Sequence, residues 1–283
     1  MRRSFKQAYM LLSPSLLWLT LFLVIPVVFI GVISFTTNGD FGAIIYQFST
    51  EAYSAAFSSL YAKVIWQSLW WSFIATLICL FIAYPFAYFI ANAGKWKNLL
   101  LLLVMVPFWT NLLVRLYAWI ILMNNNGVIN NFLVDTGIIE EPLSLMYSPG
   151  GVILGLVYGF LPFMILPIYS SIEQLDKTYL EASEDLGAGP VRTFLHVTLP
   201  LTFPGILAGF IITFVPSISV FVVTDLFTGG KLLMVGNVIR DAFLVEMNWQ
   251  LGAALSLLLM ILVLLSLMIF MRFTNRKDRK LLV

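Results

Sequence analysis

One cysteine and one histidine stand among 283 residues, and only 11% of the side chains are charged. The lone cysteine excludes a disulfide within the chain; Cys79 lies inside an apolar run and reads as a buried structural residue. His196 has no Cys, His or carboxylate cluster at metal-ligand spacing around it, so neither a metal site nor a catalytic constellation is expected, and His196 reads as a structural or loop residue. A phosphate loop is missing too: Gly230 and Lys231 are adjacent but lack the upstream glycine and the Ser or Thr that such a loop needs. The chain is expected not to be an enzyme, and no nucleic-acid partner is expected. So little charge also excludes a soluble globule, in which about a quarter of residues are charged.

What remains is apolar. Hydrophobic residues make up 60% of the chain and the mean hydropathy is +0.96, as in a polytopic membrane protein. Apolar runs near the ~20 residues that a bilayer requires occupy 9–35, 64–93, 98–123, 150–172, 201–227 and 250–270. The expectation is an all-α fold of six transmembrane helices forming one domain over residues 1–283. The first run is too long for a signal-peptide core and lacks a small-x-small exit site, so it reads as an uncleaved span. Twelve of the 16 Lys and Arg fall on one side: Arg2, Arg3, Lys6, Lys95, Lys97, Lys177, Arg192, Arg272, Arg276, Lys277, Arg279 and Lys280. By the positive-inside rule both termini and the 173–200 segment are expected in the cytoplasm, with the basic tail beside anionic lipid.

The spans are interrupted in a particular way. Pro26, Pro85, Pro107, Pro162, Pro167, Pro204 and Pro216 each remove a backbone hydrogen bond within an apolar run and favour a kink. Gly151, Gly155 and Gly159 repeat every four residues, as do Gly205 and Gly209, marking faces for close helix approach either within the chain or to another subunit.

The polar stretch EASEDLGAGPVRTFLHVTLP, Glu181 to Pro200, stands between two of the spans. Leu175, Tyr179, Ala182 and Leu186 recur at helical steps, Gly187 suits a left-handed C-terminus, and Gly189-Pro190 suits the start of a second helix. A helix-turn-helix is the expectation. Glu181, Ala182, Ser183, Gly187, Val197, Leu199 and Pro200 resemble the E-A-A-x3-G-x9-I-x-L-P loop of ABC importer permeases, with Ser183 replacing the third Ala and Val197 replacing Ile. The resemblance narrows over longer strings. VPFWTNLLVRLYAW (106–119), GLVYGFLPFMILPIYSSIEQLDKTYLEASEDLGAG (155–189) and GNVIRDAF (236–243) are similar to the PotB-type permeases of spermidine/putrescine importers.

That resemblance implies a MetI-like permease fold in a bacterial inner membrane, with the 181–200 loop as the ATPase contact. It also implies partners: a second, PotC-type permease, a PotA-type ATPase homodimer that binds the ATP and Mg, and an external PotD-type polyamine-binding protein. The residues themselves bear on the cargo, since a path for organic cations needs aromatic faces and carboxylates. Trp109 and Asn111 lie mid-span, Tyr117 and Trp119 follow, and Asp225 is the only acid of the fifth span. Arg115 would repel a polyamine and reads as a structural partner for Asp225 or for backbone carbonyls. The loop from Asn124 to Pro149 carries Asp135, Glu140 and Glu141 with no Lys or Arg, either a cation-attracting vestibule or a plain solvated loop. Two alternatives stand beside the polyamine importer: an importer of another small solute, and a secondary transporter working alone.

Overall fold

A computed structural model describes residues 12–39 and 42–281, with side chains through Met268. Arg2, Arg3 and Lys6 therefore lie outside the described residues, as do the basic side chains of the 272–283 tail. Helices dominate. They run α1 Leu12–Ile33, α2 Glu51–Ala56, α3 Ser59–Ala91, α4 Lys97–Met105, α5 Leu112–Met123, α6 Val128–Asp135, α7 Pro149–Glu173, α8 Lys177–Asp185, α9 Pro190–Leu201, α10 Phe203–Ser219, α11 Phe221–Thr228, α12 Val235–Leu244 and α13 Trp249–Leu281. A two-residue antiparallel pair, β1 Thr37–Asn38 with β2 Ile44–Ile45, follows α1. Among the described residues five helical stretches are long and apolar enough to cross a membrane, α5 and α6 counting together as Leu112–Asp135, or six when the bent pair α9–α10 counts as one span.

Two of the apolar runs are broken where hydropathy alone shows continuity. The 98–123 run is helical to Met105, tightens into a 3-10 turn at Val106–Trp109, and becomes extended at Thr110 (ψ 148°). Pro107 offers no amide, and the Asn111 side chain accepts from Leu113 N at 2.8 Å to start α5 afresh. The 201–227 run breaks at Val220 (ψ 108°), between α10 and α11. Pro85, Pro162, Pro167 and Pro216, by contrast, stay inside continuous helices.

The described residues form two compact units, one from the 63–237 and 269–281 segments and one from the 12–39, 42–62 and 238–268 segments. In the first, α7 is the central helix. Its core joins Cys79, Ala83, Tyr84, Ala87 and Ile90 of α3 to Met164, Ile165, Ile168 and Ile172 of α7 and Ile206 of α10. A second cluster joins Leu116 and Met123 of α5, Val152 and Leu156 of α7, and Val223 and Phe227 of α11. The glycine repeats serve this packing: a side chain at Gly155 would meet Val223 and Phe227, and one at Gly209 would meet Met164. They bring helices of this one chain together, where dispersion rather than hydrophobic transfer drives association in lipid. Cys79 is buried with its Sγ 3.7 Å from the Val157 carbonyl, the structural role expected of it. In the other unit Ala56, Ala242, Leu251 and Leu255 form a smaller core.

Candidate functional site

Helix α8 opens on Asp176, whose Oδ1 accepts from Thr178 N (2.9 Å) and Thr178 Oγ1 (2.7 Å). Those bonds, the backbone one foremost, hold the Asp176 carboxyl below its ordinary value. The cap therefore operates above the usual carboxylate pKa and is lost only as pH falls through the depressed one. The helix closes in a Schellman turn. Gly187 stands at φ +80°, its N–H donates to Glu184 O (2.8 Å), and Ala188 N donates to Ser183 O (3.1 Å). Gly189 and Pro190 then begin α9, and a 2.8 Å bond between the Ser183 and Thr193 hydroxyls clips the two helices together.

The motif divides into a presenting end and a rooted end. Glu181 and Ala182 are exposed, and so are Tyr179, Val191 and Leu186, the last 88% exposed. The predicted stripe is thus an outward one: Tyr179 and Leu186 form an apolar knob flanked by carboxylates, while Leu175 falls before the helix and is half-buried. Val197, Leu199 and Pro200 are half-buried instead. Pro200 cannot donate to a carbonyl one turn back, and the preceding residues Phe194–Thr198 widen into a π turn closed by Leu199 N on Phe194 O. Tyr84 OH meets Thr202 Oγ1 at 2.9 Å there, and α9 and α10 bend by 61°. Below the loop an ion pair joins Lys97 to Glu173; at about one-third exposure it contributes little to stability. His196 is exposed in the π turn of α9 with Nδ1 3.1 Å from Arg192 O, so it is a helical residue with a structural contact.

The proposed path residues gather around the broken third run. Trp109 is 79% exposed on the 3-10 turn, Asn111 caps α5, and Tyr117 is exposed two turns on. Asp225 stands apart on α11, its Oδ1 accepting from Asn237 Nδ2 at 2.6 Å. The expected pairing of Arg115 with Asp225 does not form: the Arg115 guanidinium lies over the rings of Phe108 (4.8 Å) and Tyr158 (5.8 Å). Its Nε and Nη1 are buried without a hydrogen-bond partner, so the aromatic faces carry the compensation. Trp119 stacks edge-on against Tyr158 and is packing.

Residues 83–280 match the family described as the binding-protein-dependent transport system inner membrane component. The chain belongs to that permease family. The Haemophilus influenzae protein named spermidine/putrescine transport system permease PotB is 43% identical over 264 residues, covering 93% of this chain and 92% of its own length. Its Escherichia coli namesake is likewise 43% identical, over 93% of this chain and 96% of its own. The E. coli inner membrane ABC transporter permease YdcU is 35% identical over 75% of this chain and 72% of its own. The fold matches a chain of a bacterial ABC transporter that imports alginate, with TM-score 0.79 at 17% identity over 97% of this chain and 96% of that one. It also matches the MetNI methionine transporter, with TM-score 0.57 at 18% identity over 76% and 95%.

One residue of this permease was not legible as a site residue, and one predicted loop residue has a role that the sequence did not show. Asn237 is buried and acts as a hub: its Nδ2 donates to Asp225 while its Oδ1 accepts from Thr224 Oγ1 (2.7 Å) and Met234 N (3.0 Å). The string GNVIRDAF contains it, but nothing in the spacing says that its amide faces Asp225. Ser183, a departure from the usual loop motif, supplies the hydroxyl that clips α8 to α9. The acidic 124–149 loop, finally, contains a helix, α6, pinned by buried Asn130 to Asn124 O, Leu143 O and Leu143 N.

Proposed function

We propose that this chain is the permease subunit of an ATP-driven importer of spermidine and putrescine, contributing half of the translocation path. The observation that carries the cargo is the 43% identity to PotB permeases along 93% of the chain. Fold alone does not select it, because the neighbours carry alginate and methionine. The chemistry agrees: an exposed Trp109 and Tyr117 offer π faces and Asp225 a carboxylate to an extended organic cation. The α8–α9 loop, with its exposed knob, is the surface for a PotA-type ATPase dimer that binds ATP and Mg. A PotC-type permease completes the path and a PotD-type protein delivers the cargo. Both termini and the loop face the cytoplasm.

Three measurements test this reading. Cells without polyamine uptake should regain labelled putrescine or spermidine uptake when the chain is expressed with its ATPase, second permease and binding protein; no uptake of either sinks the cargo. In a Cys79→Ser background, an impermeant thiol reagent added outside should label Asn125→Cys and spare Gln174→Cys; the reverse pattern inverts the orientation. Trp109→Leu should weaken uptake by the worth of one cation-π face, about 0.5–2 kcal/mol, and Asp225→Asn should do so more severely. Normal uptake in both, at equal membrane levels, removes these residues from the path.

A further inference from the structure

Between α4 and α5 the backbone does little to fix its own direction. The turn Val106–Trp109 lacks the amide of Pro107, closes on a 3.3 Å bond from Thr110 N to Pro107 O, and gives way to extended backbone at Thr110. Backbone hydrogen bonding resumes with Arg115 N on Asn111 O, again at 3.3 Å. Side chains must therefore settle which way the turn faces. In a 3-10 turn successive side chains stand about 120° apart, so holding Phe108 in place decides where its neighbour Trp109 points. Phe108 is half-buried, and Trp109 is exposed.

Phe108 is held from two sides. Its ring meets Phe163 of α7 edge-on with centroids 5.1 Å apart, and the Arg115 guanidinium covers it at 4.8 Å. The same guanidinium lies 5.8 Å from the ring centre of Tyr158 on α7, which Trp119 meets edge-on at 5.5 Å. One side chain thus ties α5 and α7 to the turn, across the break in the backbone. The arrangement has a cost, because Nε and Nη1 of a cation are buried with no acceptor. That burial also keeps any ligand from reaching them, so Arg115 is not an anion site. Packing alone does not call for a cation here. Methionine fills a similar space without stranding two donors, and replacing a buried charge by an apolar side chain is often neutral or stabilising. What a guanidinium adds is a flat cation that stacks on rings, which the compact, strongly hydrated ammonium of lysine does not match. An ionisable side chain kept within a membrane span is a functional candidate by default.

We propose that Arg115 is a positioning residue: by clamping Phe108 it turns Trp109 outward, onto the surface that the cargo meets. The last clause rests on the reading of Trp109 as a path residue, and the experiment keeps the two apart. Fluorotryptophan is placed at residue 109 alone by codon suppression, and its fluorine resonance is recorded with the assembled importer in nanodiscs. A single resonance is expected for the otherwise unaltered chain. Arg115→Met should split or broaden it, Phe108→Leu should do the same, and Arg115→Lys should fall between. Thermal unfolding of Arg115→Met should stay at or above that of the unaltered chain. Uptake at saturating cargo should fall about fivefold in Arg115→Met and in Trp109→Leu alike, the worth of one cation-π face, and no further when the two are combined.

A single unchanged resonance in Arg115→Met overturns the proposal. So does an unfolding transition several degrees lower, which would make Arg115 a packing residue. Losses that multiply in the double variant overturn it as well, since Arg115 would then act on uptake without Trp109. The resonance needs no transport. A split line beside normal uptake in Trp109→Leu would leave the clamp standing and remove Trp109 alone from the path.

Discussion

Gly187→Val is expected to reach the membrane in normal amounts and to lose uptake. No atom lies within 4 Å of where its Cβ would start, so nothing is crowded and the unit around α7 is untouched. The cost is in the backbone. At φ +80° a side chain meets the following carbonyl, at about 1–2 kcal/mol for an ordinary residue and more for a β-branched one. The chain relieves this by opening the turn, which gives up the bonds from Gly187 N to Glu184 O and Ala188 N to Ser183 O. The Tyr179–Leu186 knob and Glu181 then leave the orientation set by the Ser183–Thr193 clip. Uptake, ATPase co-purification and substrate-stimulated ATP hydrolysis are measured together, in this variant and in one that also carries Glu181→Ala. Recruitment or coupling should fail in both. Wild-type values for all three would make the loop a bystander and remove the strongest support for an ATPase partner.

Gly236→Ala is expected to act through the fold. Its added carbon would collide with the Ser219 carbonyl oxygen and lie 2.7 Å from the Ser219 carbonyl carbon. Both are backbone atoms, so no rotamer change relieves the clash, and a loss of about 3 kcal/mol or more follows from overpacking of this kind. The neighbouring Asn237 would move with it, releasing Asp225, Thr224 and the Met234 amide from one buried hub. Thermal unfolding of the detergent-solubilised complex should fall by several degrees, with less protein in the membrane. Gly31→Ala is the control, since no atom lies within 4 Å there. An unchanged transition for Gly236→Ala would mean that the α10–α11 break tolerates a side chain and that the Asn237 hub does not depend on Gly236.

These two glycines differ in how far the sequence discloses them. Gly187 sits in a polar segment with a helix stripe before it and Gly-Pro after it, so its left-handed turn follows from local rules. Gly236 carries no such mark. It becomes critical because the Val220 break aims the Ser219 carbonyl at it from 17 residues away. The broken third run is intermediate: Pro107 and Asn111 are visible in the sequence, but averaged hydropathy erases the turn that leaves Trp109 exposed. Arg115 shows the same limit, since charge pairing suggested Asp225 while two aromatic rings took the guanidinium.

The membrane class, the helical fold and the loop's turn chemistry were determined by the sequence, because apolar length, helix capping and glycine conformation act over a few neighbouring residues. Which glycines admit a neighbour, which amide holds Asp225 and which ring of α7 meets the Arg115 guanidinium were decided only by the tertiary structure. Each of those depends on groups brought within bonding distance from far along the chain, and close packing and hydrogen-bond satisfaction are settled atom by atom where they meet.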